Sequence, residues 1–304
     1  MKILITGAAG FIGNNLTNFL KGTTKHEIFT LDKKDNGHID FVEDIRNYNQ
    51  IFKIFIENKF DKVIHLAGKS EVRESGSNPY IYLDNNIIGF QVILDACVKS
   101  EVKQLIYASS SSVYGNQDGD NEDTKCDSQH SVYAVTKKEN ENMAYVYSHN
   151  YGLKTTGLRL FSVFGYGMRE DLAIYKFVYN IFNYKPLEVY GDGTQERDYT
   201  PVRYVCEYIR FLIDYEQENN FEIYNLGNGE ECPISVNKLI KMIQEITSMS
   251  PKVVYLPEDP QDVQKTCAND FKIRTLFTPQ ELSFREELTK YIDYMIKHGL
   301  WNNN

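Results

Sequence analysis

Two periodicities alternate along the first 160 or so residues. Short apolar stretches at 2–6, 27–32, 39–43, 62–67, 104–108 and 153–161 read as strands, and apolar residues at helical spacing lie between them. Ile12, Leu16, Phe19 and Leu20 mark the first helix, and 48–58, 79–100 and 133–150 supply the others. This alternation predicts an α/β fold, a Rossmann-like doubly wound parallel sheet.

After Phe161 the rhythm changes. A glycine-containing loop at 162–171 precedes helices at 173–183, 203–216, 235–247 and 284–298, with strands near 187–190 and 253–256. The expected division is a first domain at 1–165, regaining a segment near 200–226, and a smaller α/β substrate-binding domain at 166–304.

Strand, glycine turn and helix occur in order around Gly7-Ala8-Ala9-Gly10-Phe11-Ile12-Gly13. In that arrangement backbone N–H groups at a helix start receive a pyrophosphate, and glycines permit close approach. Asp32 ends the second strand, where a carboxylate bonds both ribose hydroxyls of an adenosine and repels a ribose phosphate. NAD is therefore expected over NADP, although Lys33 beside it offsets part of that repulsion. Asp44 and Ile45, after the third strand, are placed to bracket the adenine.

Tyr133 and Lys137 are four apart at the start of a helical stretch, so both share one face about a turn apart. A lysine beside a phenol favours the phenolate and draws its pKa down from about 10, which makes a general base for a sugar or alcohol hydroxyl. Ser109 to Ser112 follow another strand.

Charge and composition narrow the partners. A net charge of -9 gives no basic footprint for nucleic acid. No apolar run approaches the roughly 20 residues of a membrane span, and the chain enters its glycine loop too early for a signal peptide. Cys97, Cys126, Cys206, Cys232 and Cys267 are scattered without a Cys-x-x-Cys pair, and the histidines show no ligand spacing, so no metal is expected and the cytoplasm is the economical location.

With G-x-x-G-x-x-G, Asp32, Asp44-Ile45, the Leu66-Ala67-Gly68 run, Asp84-Asn85-Asn86, the serine run through Gly115 and Tyr133-Ala-Val-Thr-Lys137 in order, the chain resembles the extended short-chain dehydrogenase/reductase family, the NAD-dependent nucleotide-sugar epimerases and dehydratases. The resemblance implies Tyr133 as base, Lys137 on the nicotinamide ribose, and Ser110, with Ser111 beside it, at the sugar 4-hydroxyl. It also implies Leu66, Ala67, Gly68, Asn85 and Phe161 in the NAD site, and Arg197 on phosphate. Val189, Tyr190 and Asp262 would line the nucleotide side, and Lys265 would stand near a phosphate.

Family dehydratases carry an acid pair where Ser111 and Ser112 stand, so dehydration is disfavoured and epimerisation at carbon 4 remains. Val72-Arg73-Glu-Ser75 and the stretch from Ser162 to Arg169 are similar to UDP-glucuronate 4-epimerases, in which these groups hold the sugar carboxylate. UDP-glucuronate is thus the expected substrate. UDP-glucose or UDP-N-acetylglucosamine epimerases, a 4,6-dehydratase, a 4-ketoreductase and a silent NAD-sensing scaffold are the alternatives. The helices 79–100 and 133–150 resemble the family's homodimer interface.

Overall fold

The computed structural model describes residues 1–116, 121–228, 233–259, 262–280 and 283–300; Cys232 and Gln261 fall outside them. The strands are β1 Lys2–Thr6, β2 Glu27–Asp32, β3 Phe41–Val42, β4 Lys62–His65, β5 Gln104–Ser110, β6 Lys154–Leu160, β7 Ser162–Phe164, β8 Leu187–Tyr190, β9 Glu196–Arg197, β10 Tyr199–Pro201, β11 Phe221–Leu226, β12 Ile234–Ser235 and β13 Val253–Leu256. Seven of them form one parallel sheet in the order β11-β6-β5-β4-β1-β2-β3. The order reverses between β1 and β4, where open α/β sheets bind ligands beyond the strand ends. The doubly wound expectation is met.

Both sheet faces are covered, which is why the strands are nearly all apolar. Ile3 and Ile5 turn one way, with Ile64 and Ile106, onto Leu16 and Leu20 of helix 11–23 and Val205, Ile209 and Leu212 of helix 202–214. Leu4 turns the other way with Val63 and Leu105, onto Phe55 of helix 48–58, Phe90 and Ile93 of helix 89–99, and Ala144 of helix 132–151. A separate core joins Ile174, Val178, Val189, Leu239 and Leu288 from the later segments, and β11 returns to pair with β6 from Phe221↔Thr155 to Leu226↔Leu160.

Some local expectations change. The third strand shrinks to Phe41–Val42 because Asp40 turns its carboxylate onto the Thr30 N–H (2.9 Å) and hydroxyl (2.8 Å). Val72–Ser77 adds a short helix before the one starting at Pro79. Ser109 and Ser110 lie within β5, and Ser111–Tyr114 form a single 3-10 turn. The helix starting at Pro79 contains a π-helical turn at Asp84–Ile88, a feature that often marks a functional position. By length and composition the 79–99 helix could cross a bilayer, but 56% of its apolar window is packed inside the protein.

Candidate active site

The first strand delivers the chain into Gly7, whose φ of 74° and N–H to the Leu31 carbonyl (2.8 Å) make the turn. A Cβ on Gly7 would lie 2.6 Å from the Ala67 nitrogen, and one on Gly13 would lie 2.1 Å from the Gly7 oxygen, so both positions demand glycine. Gly10 is the N-cap of helix 11–23 and no side chain caps it, which leaves the first-turn N–H groups of Phe11, Ile12 and Gly13 facing an anion position. Asp32 sits against the same loop, accepting from the N–H of Ala9 (3.1 Å) and Lys34 (2.9 Å). These features fit the pyrophosphate and adenosine of a dinucleotide.

Asp44 is tied to Arg46 through two oxygens, and Arg46 bridges onward to Asp84. Hydrogen bonding from Arg46 holds the Asp44 carboxyl down at about 2. Ile45 is buried and would touch a Cβ placed on Gly89. Leu66 donates its N–H to Thr6, and Gly68 brings the backbone beside the Asn86 amide and the Lys137 ammonium.

The base and its neighbours come together at the carboxyl end of β5. Tyr133 is buried, with the Ser110 hydroxyl beside its phenol. Ser110 also contacts the Ser112 hydroxyl at 3.1 Å. Lys137 Nζ donates to the Ala108 carbonyl at 2.8 Å and lies 5.9 Å from the Tyr133 ring centroid. Burial pushes the Tyr133 phenol above its usual range, while the Ser110 hydrogen bond and the charge of Arg169 pull it back. Burial also draws Lys137 down to about 8. The pull on the phenol comes from Ser110 and Arg169, and the Ala108 carbonyl holds the Lys137 ammonium beside the ring.

Two predicted site residues are engaged by the backbone. Ser75 is fully buried: its hydroxyl donates to the Val72 carbonyl at 2.5 Å and accepts the Tyr133 N–H at 3.1 Å. Asn85 turns its amide back onto the Ile81 carbonyl at 2.9 Å. Asn86, one residue on in the π turn, takes the central place, bonding Lys69 through backbone N–H and carbonyl and Thr136 through its hydroxyl.

On the nucleotide side Arg73 stacks over the Tyr190 ring at 4.0 Å and pairs with Asp259 (3.0 Å) and Asp262 (2.7 Å). Val189 points into the core, and its strand pairs there with Tyr255 of β13. Arg197 donates to the Glu196 and Gln264 carbonyls, and among the described residues it forms no direct ion pair with a carboxylate, which suits a phosphate. Arg169 is held by Asp171 through two 2.8 Å bonds and also bonds Ser70. Ser162 joins β7 beside β10, and Phe161 is buried near Tyr114. Lys33 flanks Asp32 in the turn after β2 and adds its charge near Asp44.

The matched family model is that of the NAD dependent epimerase/dehydratase family, over residues 3–227. A UDP-glucuronate 4-epimerase of Thermodesulfobacterium geofontis is 34% identical over 96% of this chain and 95% of its own. The crystal structure of UDP-glucuronic acid 4-epimerase from Bacillus cereus, with UDP-glucuronic acid and NAD, superposes with a TM-score of 0.91 at 30% identity, covering 98% of this chain and 100% of that one. UDP-glucose 4-epimerase of Thermus thermophilus with NAD gives 0.89 at 25% identity, covering 97% and 99%. A glycine cradle, an acid at the end of β2 and a Tyr–Lys pair at the end of β5 thus coincide with a match across most of the chain, and the chain belongs to the NAD dependent epimerase/dehydratase family.

Proposed function

We propose that the protein is an NAD-dependent UDP-sugar 4-epimerase that interconverts UDP-glucuronate and UDP-galacturonate. The observation that carries this reading is the meeting of Tyr133, Ser110 and Lys137 at the end of β5, with hydroxyls instead of acids at Ser111 and Ser112.

Tyr133 takes the proton of the sugar 4-hydroxyl and later returns it, while Ser110 holds that oxygen in line. Gly7, Gly10, Phe11, Ile12, Gly13 and Asp32 hold NAD, which when bound accepts hydride from carbon 4 and returns it to the other face of the transient 4-keto sugar. No acid at Ser111 or Ser112 is present to drive loss of water, so the ketone is returned rather than dehydrated. Arg197 grips the diphosphate, and Arg169 restrains the sugar carboxylate through a guanidinium fork.

A second reading is a neutral-hexose epimerase. It is favoured by Asp171, which already occupies two donors of Arg169. Incubating the pure protein with UDP-glucuronate, UDP-glucose and UDP-N-acetylglucosamine and resolving the epimers decides between them: conversion of the uronate is expected, and turnover of uncharged sugars alone overturns the uronate assignment.

The working unit is a cytoplasmic homodimer. Supporting it, Tyr80, Ile81 and Ile88 on one helix and Val135 and Val146 on the next leave apolar surface exposed, and the first helix carries an apolar groove lined by Tyr80, Ile81, Leu83, Ile87 and Ile88.

A further inference from the structure

Tyr133, Lys137 and Glu141 stand four residues apart and so form one stripe of their helix. Each reaches a different residue at the end of β5. Tyr133 meets the Ser110 hydroxyl, Glu141 Oε1 accepts from the Ser109 hydroxyl at 2.6 Å, and Lys137 donates to the Ala108 carbonyl at 2.8 Å. Three consecutive residues of the strand are thus gripped by three consecutive turns of the helix.

The third grip has its own support. Arg159 lies opposite Ser109 in the β5–β6 register and holds both Glu141 oxygens at 2.9 Å. Its remaining nitrogen donates to the Tyr114 hydroxyl at 2.7 Å, which donates to Asn225 on β11 at 2.7 Å. Glu141 and Arg159 are 1% and 2% exposed at their side chains. The other contacts of the helices with this sheet are mainly apolar. An ion pair buried this deeply gives little net stability over apolar packing of the same volume, so its place directly behind the serine that meets the base needs another reason.

We propose that Glu141 and Arg159 are positioning residues for the proton transfer, setting the height of Ser109, and through it Ser110, against Tyr133. This rests on the epimerase reading above. Ser109 is the transmitting rung: the pair holds its hydroxyl, and its backbone carries Ser110.

The test is Ser109→Ala, which leaves the ion pair intact, beside Ser109→Thr and Glu141→Gln, all in the NAD-loaded protein with kcat, KM, urea midpoint and pH profile measured. Ser109→Ala takes one hydrogen bond from the buried Glu141, so its urea midpoint is expected to fall modestly. Under conditions where it is fully folded it should keep its KM and lose about 10-fold in kcat, the size of a misaligned proton transfer. Its rate should also rise at higher pH than the wild type, because a displaced Ser110 no longer favours the phenolate. Ser109→Thr restores both, and Glu141→Gln shows the same split between kcat and KM.

An independent readout needs no turnover. The Tyr133 phenol is titrated by ultraviolet difference against Tyr133→Phe, and its midpoint is expected to move upward in Ser109→Ala. If the wild type epimerises no UDP-sugar, the functional reading fails and this titration still decides the positioning role. Wild-type kcat and an unmoved phenol in folded Ser109→Ala, or a kcat loss that merely tracks a lower urea midpoint, overturn it.

Discussion

Lys137 and Tyr133 carry opposite consequences of one burial. The phenol is pushed up and the ammonium down to about 8, so without further positive charge the proton stays on the tyrosine at neutral pH. The lysine has a signed effect on stability. Its folded pKa lies below the unfolded value of about 10.4, so its contribution is fully present above that pH and is lost as pH falls through about 8. Urea midpoints of wild type and Lys137→Met compared between these limits should diverge as pH falls, the wild type losing more; parallel curves contradict the burial argument. Arg169 gives a second prediction. Arg169→Met should raise KM for UDP-glucuronate at least about 10-fold and leave the KM for UDP-glucose nearly unaffected, as expected for one charge-assisted fork, while any fall in kcat from the charge lost near Tyr133 is shared by both sugars. Equal rises in KM for both sugars would place the arginine outside carboxylate recognition.

The glycine turn before helix 11–23 and the end of β5 do different work. The first is a cradle whose backbone must come close to a ligand, and the second a platform whose side chains must be held at fixed height. Gly13→Ala forces a methyl to within 2.1 Å of the Gly7 oxygen, so the loop has to move. Its NAD affinity should fall at least about 10-fold by calorimetry with little change in fold by circular dichroism; unchanged affinity would mean that the cradle is not the pyrophosphate seat. The cradle was legible in the sequence because its glycines recur every third residue, at 7, 10 and 13, between a strand and a helix. The platform was only half legible. Tyr133 and Lys137 are four apart on one helix, but Glu141 acquires meaning only when β6 brings Arg159 beside Ser109, a matter of register between strands. The Tyr133–Lys137–Glu141 spacing was a signal available for reading. The backbone bonds of Ser75 and Asn85 were hidden for a related reason: the short 72–77 helix and the π turn set them, and no motif encodes that local geometry.

Two parts of the chain meet around the nucleotide side of the cleft. Arg73 precedes its partner Asp262 by 189 positions, a pairing that no local pattern predicts, whereas the parallel sheet followed directly from alternating strands and helices. The apolar surface on helices 79–99 and 132–151 is the counterpart on the outside. If it closes a homodimer, Ile88→Glu with Val146→Glu should convert the sedimenting species from dimer to monomer, because two charges cannot be buried unpaired. A wild-type chain that sediments as a monomer contradicts the pairing.

Epimerisation depends on a buried phenol exchanging one proton with the sugar, and the most direct measurement is the turnover of Tyr133→Phe on UDP-glucuronate alongside its affinity for that nucleotide sugar. The expected result is a kcat lower by about 10²- to 10⁴-fold with affinity changed by no more than about two-fold. A folded Tyr133→Phe protein that epimerises at the wild-type rate contradicts it.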